Sequence, residues 1–173
     1  GASVGLGRRL QWPDDFFTLY NEISYQYYEL QNWRNFIFNT GFAHNLSFKT
    51  TFSRNSIDAP IYPTQGSQVS LSAQLTPPYS LFDRADKNYD GLTNQQRYKF
   101  VEFHKWKFNS SWFTPLSGGK RKLVLNTKIG YGYLGEYNDN LGQSPFERFY
   151  VGGDGLSGFN LDGSEIIALR GYG

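Results

Sequence analysis

The chain contains no cysteine and no methionine among its 173 residues. No run of apolar side chains approaches the roughly 18 that a membrane-spanning helix requires. The missing cysteine removes disulfides and thiolate metal sites, and the missing apolar run removes helical membrane spans. Charge of one sign is lacking too. Seventeen Lys and Arg stand against fifteen Asp and Glu, a net charge of +2, with no basic tract that would point to nucleic acid. Gly1-Ala2-Ser3-Val4-Gly5 has neither the charged nor the apolar region of a signal peptide. His44 and His104 are the only histidines, and neither comes with a Ser or Asp/Glu arrangement that suggests a triad.

What is present is aromatic and glycine-rich: 18% aromatics and 19 glycines, with hydrophobic residues at only 39%. A β-strand crosses a bilayer in about 9–11 residues with one apolar and one polar face, so mean hydropathy stays low even when every strand spans. Period-two alternation of that kind recurs along the chain. Val69, Leu71, Ala73 and Leu75 alternate with Gln68, Ser70, Ser72, Gln74 and Thr76. Between Arg121 and Leu134, Leu123, Leu125, Thr127, Ile129, Tyr131 and Tyr133 oppose Lys122, Val124, Asn126, Lys128, Gly130 and Gly132. Leu46, Phe48, Thr50 and Phe52 alternate with Ser47, Lys49, Thr51 and Ser53. Leu19, Ile23, Tyr25 and Tyr27 oppose Thr18, Glu22, Ser24 and Gln26.

A soluble antiparallel sandwich alternates in the same way. Three features favour a membrane barrel instead. The strands run about 10–14 residues, against the usual 5–6 or so. Aromatics gather toward strand ends (Trp12, Phe16 and Phe17; Tyr27, Tyr28 and Trp33; Trp112 and Phe113; Tyr131 and Tyr133), as interfacial girdles do. The connections also alternate between compact and long. Trp12–Asp15, Asp58–Gly66 and Pro115–Lys120 are Pro/Gly turns, whereas Asn32–Ala43, Pro77–Gln96 and the stretch after Leu134 are longer. Outer-membrane barrels place short turns in the periplasm and long loops outside.

On that basis Phe16–Leu30, Ser67–Thr76 and Arg121–Leu134 run outward, and His44–Ser56 and Tyr98–Thr114 run inward. Val4–Gln11 is the end of an inward strand. The parity breaks between Tyr98 and Trp106, because Phe100 and Phe103 cannot share a face; a bulge, or exit from the bilayer above Phe103, accounts for it. The expected fold class is therefore all-β, a transmembrane antiparallel β-barrel segment. About five full strands and one partial strand fall short of the eight in the smallest single-chain bacterial barrels, so a contiguous piece of a larger barrel is expected.

Three stretches then carry a family resemblance. Gly7–Phe16 is similar to the strand-turn-strand of many BamA barrels, and Asn55–Gly66 to their D-x-P-x-x-P-x-x-G periplasmic turn. Ser144-Pro145-Phe146-Glu147-Arg148-Phe149-Tyr150-Val151-Gly152-Gly153, followed by Leu169-Arg170-Gly171-Tyr172, resembles the sixth extracellular loop of that family. Tyr98–Phe108 is similar to the Bacteroidetes form, and so is the insertion Asp154–Leu169 between Gly-Gly and the tripeptide.

The resemblance implies one domain over residues 1–173, part of a sixteen-strand barrel, with extracellular loop six at residues 135–173. It implies a factor that inserts β-barrel proteins into the bacterial outer membrane, making and breaking no bond and needing no cofactor. Outer-membrane lipid, unfolded β-barrel clients, periplasmic chaperones and BamD-like accessory lipoproteins of a BAM complex would be its partners. Arg170, Gly171 and Tyr172 would anchor loop six in the lumen, with Gly152 and Gly153 letting it bend inward. A two-partner-type secretion pore of the same superfamily and a soluble carbohydrate-binding module remain as alternatives.

Other motifs fail. Asp86-x-Asn88-x-Asp90-Gly91 opens like an EF-hand, but Arg97 stands where the bidentate Glu belongs. Ser117-Gly118-Gly119-Lys120 lacks phosphate-loop spacing, and Gly152-Gly153-Asp154-Gly155 lacks a cyclase context. Glu22 and Glu102 are expected to face the lumen. The sequons at Asn45 and Asn109 fall within strands.

Overall fold

The computed structural model describes residues 1–32, 34, 36–82, 89, 91–119, 123–151 and 164–167. Six strands, β1 (Ala2–Arg9), β2 (Phe17–Leu30), β3 (Gly41–Asn55), β4 (Gly66–Leu75), β5 (His104–Pro115) and β6 (Val124–Gly135), form one antiparallel meander in chain order. Short helices α1 (Tyr79–Phe82) and α2 (Asn94–Arg97) lie between β4 and β5. A separate parallel pair, β7 (Arg148–Val151) and β8 (Ser164–Ile167), follows β6.

The register carries the sequence alternation into two continuous faces. Val4 lies opposite Ile23, Ile23 opposite Phe48, and Phe48 opposite Leu75. Leu71 lies opposite Phe108, and Phe108 opposite Tyr131. Large apolar side chains on this face are exposed, among them Val4, Ile23, Phe48, Leu71, Ile129 and Tyr131. A contiguous apolar surface of that extent is what hydrocarbon, not water, accepts. On the other face Glu22 lies opposite Lys49, Lys49 opposite Gln74, and Gln74 opposite Lys105.

Among the positions that depart from simple alternation, Asn21 and Tyr20 are locally compensated. Asn21 falls on the apolar face, where its amide oxygen accepts the Thr50 hydroxyl at 2.8 Å. Tyr20 falls on the polar face and lies over Gly5, where any β-carbon would collide with the phenol.

The compact turns are tied by charge. The Arg54 guanidinium donates through Nε and Nη2 to Asp14 Oδ2 at 3.1 and 2.9 Å, and through Nη1 to Ser56 Oγ at 2.7 Å. One side chain thereby joins the β1–β2 turn to the β3–β4 turn. In the latter, the Thr64 hydroxyl and then the Thr64 amide donate to Asp58 and hold its carboxyl at about 2. Gly66 closes that turn at φ +105°, with no room for a β-carbon against the Ser56 carbonyl.

At the opposite end the sheet gives way to a packed cap. β5 begins at His104, not Tyr98, so the parity break marks an exit from the sheet. The preceding residues run parallel to the start of β3, with the His44 amide on the Lys99 carbonyl at 2.8 Å and the Val101 amide on the His44 carbonyl at 2.9 Å. Val101 and Phe103 turn inward and are fully buried with Ala43 and Phe146. Glu102 does not face the lumen as a strand residue would. Its buried carboxylate accepts the Ser80 amide and, at 2.7 Å, the Ser80 hydroxyl. Burial pushes this carboxyl above its ordinary value against the pull of those bonds.

The two faces make a sharp expectation. Leu71→Arg places a charge on the apolar face and is expected to cost roughly 2–4 kcal/mol in a bilayer, whereas Ser70→Arg, one residue away on the polar face, is expected to stay near neutral. The shift in urea midpoint of the full-length protein refolded into vesicles measures both.

Candidate functional site

After β6 the chain reverses and returns over the polar face. The turn is built on Asn138, whose carbonyl accepts the amides of Leu141 at 3.0 Å and Gly142 at 3.2 Å. Gly142 sits at φ +76°. Arg97 Nη2 donates to the Asn140 carbonyl at 3.0 Å and the Tyr98 hydroxyl to the Leu141 carbonyl at 3.3 Å, so the cap holds the turn from one side.

Three side chains then dock the returning segment. Phe146 is 1% exposed and enters a ring of aromatics, with centroids 4.8 Å from Tyr28 and 5.0 Å from Phe36. Glu147 Oε2 meets Lys105 Nζ at 3.0 Å, and both side chains are only 8% exposed. Phe149 sits under the same ammonium, 4.7 Å from ring centroid to Nζ. Its ring lies over Gly132, where a β-carbon would stand 3.0 Å from Phe149 Cζ, so glycine opens the seat.

The charge pattern explains why an acid docks here. By register, Arg9, Lys49, Lys105, Lys107 and Lys128 share the polar face, and Glu22 is the one acid among its described strand residues. A carboxylate arriving from the returning segment meets a positive wall. Removal from water strengthens the pair's attraction and makes either partner costly alone.

Not every expected site residue can be placed. Arg170, Gly171, Tyr172, Gly152 and Gly153 lie outside the described residues, as do Asp86, Asn88, Asp90 and Trp33. Glu22 takes its expected face; Glu102 belongs to the cap. Tyr28, read from sequence as part of an aromatic girdle, instead faces inward and stacks on Phe146. The stretch at residues 135–173 is not plain loop, since β7 and β8 pair within it. Sequence reasoning missed the Lys105–Glu147 pair. Its signal was a lysine on the polar parity of β5 and an acid set between Phe146 and Phe149 in the segment that follows β6.

The description "Omp85 superfamily domain" matches residues 1–170. The chain belongs to the Omp85 superfamily. The six-stranded meander is accordingly part of an Omp85-type β-barrel, its apolar face turned to lipid and its polar face to the lumen. Membership supports a place in the outer membrane and a role in outer-membrane protein biogenesis or secretion. Superfamily members are non-enzymatic transporters or assembly factors, which interact in general with β-barrel clients and accessory proteins. In this Omp85 chain the segment Leu141–Phe149 covers part of the lumen wall.

Breaking the docked pair has a directional consequence. Lys105→Met leaves the Glu147 carboxylate buried without that partner and is expected to weaken docking by roughly 3–5 kcal/mol. Lys105→Met combined with Glu147→Leu is expected to recover most of the loss. Hydrogen exchange of residues 141–149 in the bilayer-embedded full-length protein distinguishes the two.

Proposed function

We propose that this chain belongs to a BamA-like assembly factor, of the Bacteroidetes type, that folds and inserts β-barrel proteins into the outer membrane. The observation that carries this reading is the docked segment on an Omp85 barrel wall. Phe146, Glu147 and Phe149 bring the root of residues 135–173 onto the lumen side of the described wall. A segment packed on the lumen side of its own wall favours work at that wall over conduction through the centre.

In this reading residues 1–173 form part of a multi-pass barrel domain, and residues 135–173 are loop six. Arg170 anchors the loop to a lumen carboxylate, where a guanidinium fork holds a fixed geometry. Gly171 permits close backbone approach, Tyr172 packs on the wall, and Gly152 and Gly153 let the loop bend inward. Client strands pair with an opening edge of the barrel by β-augmentation, so no bond is made or broken and no cofactor is called for. The partners are outer-membrane lipid, unfolded barrel clients, periplasmic chaperones and BamD-like accessory lipoproteins.

The test is Arg170→Glu in the full-length gene, with folded, heat-modifiable outer-membrane proteins quantified after depletion of the native copy. A broad fall across unrelated barrels is expected. Loss of a single secreted protein from a dispensable gene would instead assign the chain to a two-partner-type export pore. Normal barrel levels with the variant, but collapse without any copy, would keep the function and remove the anchor role of Arg170.

A further inference from the structure

The lipid-facing side of the cap end carries a feature that neither barrel wall nor loop docking uses. Beyond Leu75 the sheet has no β4, and the stretch Lys99–Val101 takes its place beside β3. This sets the Phe100 ring against His44, with centroids 5.6 Å apart and planes at 28°. The rings of Phe42, Tyr27 and Tyr25 surround the same imidazole at 5.6, 5.3 and 6.1 Å. The imidazole Nδ1 is hydrogen-bonded to the Tyr25 hydroxyl at 2.8 Å. Above this platform Lys99 Nζ stands 5.7 Å from the centroids of both Phe42 and Phe100. Lys99 is exposed, and among the described residues no carboxylate pairs with it. The one acid of the β2–β3 pair on this face, Glu29, lies across Phe42 on the β2 side and accepts a hydrogen bond from Gln31 at 2.8 Å.

An interfacial girdle places separate aromatics at headgroup depth. Here, by contrast, aromatic rings are clustered around one imidazole, half-exposed and surmounted, among the described residues, by the Lys99 ammonium. Below the platform Leu46 and Phe48 continue the apolar face, so His44 and Tyr25 stand where hydrocarbon gives way to headgroups. Ring faces offer stacking surface to the C–H face of a sugar, and the ammonium offers a charge-assisted bond to phosphate. We propose that this platform binds the phosphorylated sugar headgroup of a glycolipid in the external leaflet, Lys99 taking the phosphate and Tyr25, Tyr27 and Phe100 the sugar. The placement in the external leaflet rests on the outer-membrane reading and its orientation; the chemistry of the platform does not.

The experiment uses the full-length protein in phosphatidylcholine nanodiscs with a small fraction of bisphosphorylated lipid A, retained lipid A being counted by native mass spectrometry. Wild type is expected to retain lipid A. Lys99→Gln is expected to lower occupancy roughly tenfold, the size of one lost charge-assisted contact, while Lys99→Arg keeps it. Phe100→Leu should lower it as well, and Lys128→Gln, on the lumen face, should leave it unchanged. Equal retention by Lys99→Gln, or by wild type with dephosphorylated lipid A, would overturn the phosphate contact. Equal displacement by phosphatidylglycerol would overturn the sugar contact. Labelling of Lys99→Cys on intact cells by a membrane-impermeant maleimide tests the orientation separately. Without labelling the site faces the other leaflet and the external-leaflet assignment fails, whatever the lipid count.

Discussion

An unpaired backbone amide or carbonyl in hydrocarbon costs several kcal/mol, and the whole architecture answers that constraint. β2 and β3 pair from Phe17 opposite Arg54 to Leu30 opposite Gly41, and β5 pairs with β6 from His104 opposite Gly135 to Pro115 opposite Val124. Once ladders of this length are fixed, side chains can only alternate, and the two faces follow. Lipid takes one face. The lumen takes the other and is lined with hydroxyls, amides and lysines. Polar residues that the alternation sends to lipid, such as Asn21, survive because a neighbouring strand supplies Thr50 at hydrogen-bond distance.

The positive lumen wall in turn makes the loop docking specific. A chain returning over Lys105, Lys107 and Lys128 gains by presenting a carboxylate, and Glu147 does so in a site too dry for either charge alone. Phe146 and Phe149 flank that carboxylate in sequence and supply the apolar contact on both sides. Gly132 and the inward-facing Tyr28 are the matching features on the wall. Outside the lumen the same end of the sheet carries an aromatic platform topped by Lys99. One end of this wall thus binds its own loop within and faces the headgroup region without.

Much of this was legible in the sequence, because strand parity is a local property. The faces of Leu46–Ser53, Ser67–Leu75 and the Leu123–Tyr133 stretch could be read residue by residue, whereas the failure of Phe100 and Phe103 to share a face left a bulge or an exit open, and the strand proves to begin only at His104. What escaped were contacts between segments distant in sequence. Lys105 and Glu147 are 42 residues apart, and Glu102 and Ser80 are 22 apart, so no periodicity joins them. Tyr28 looked like a girdle residue beside Tyr27 because composition shows an aromatic cluster but not the side each ring takes. The tripeptide Arg170-Gly171-Tyr172 drew attention by its resemblance, while the segment the structure shows docking lies more than twenty residues before it.

These strands stand between lipid and a lumen whose wall the returning segment covers in part. A nitroxide scan along β6, residues 124–135, in the bilayer-embedded full-length protein tests both placements. Oxygen accessibility should peak at Leu125, Thr127, Ile129 and Tyr131, and a water-soluble nickel reagent should peak in antiphase at Asn126 and Lys128. Accessibility to both reagents should drop at Leu134, which packs against the cluster around Phe146. Equal exposure of both parities to the nickel reagent would contradict the membrane wall, and free nickel access at Leu134 would contradict the docked segment.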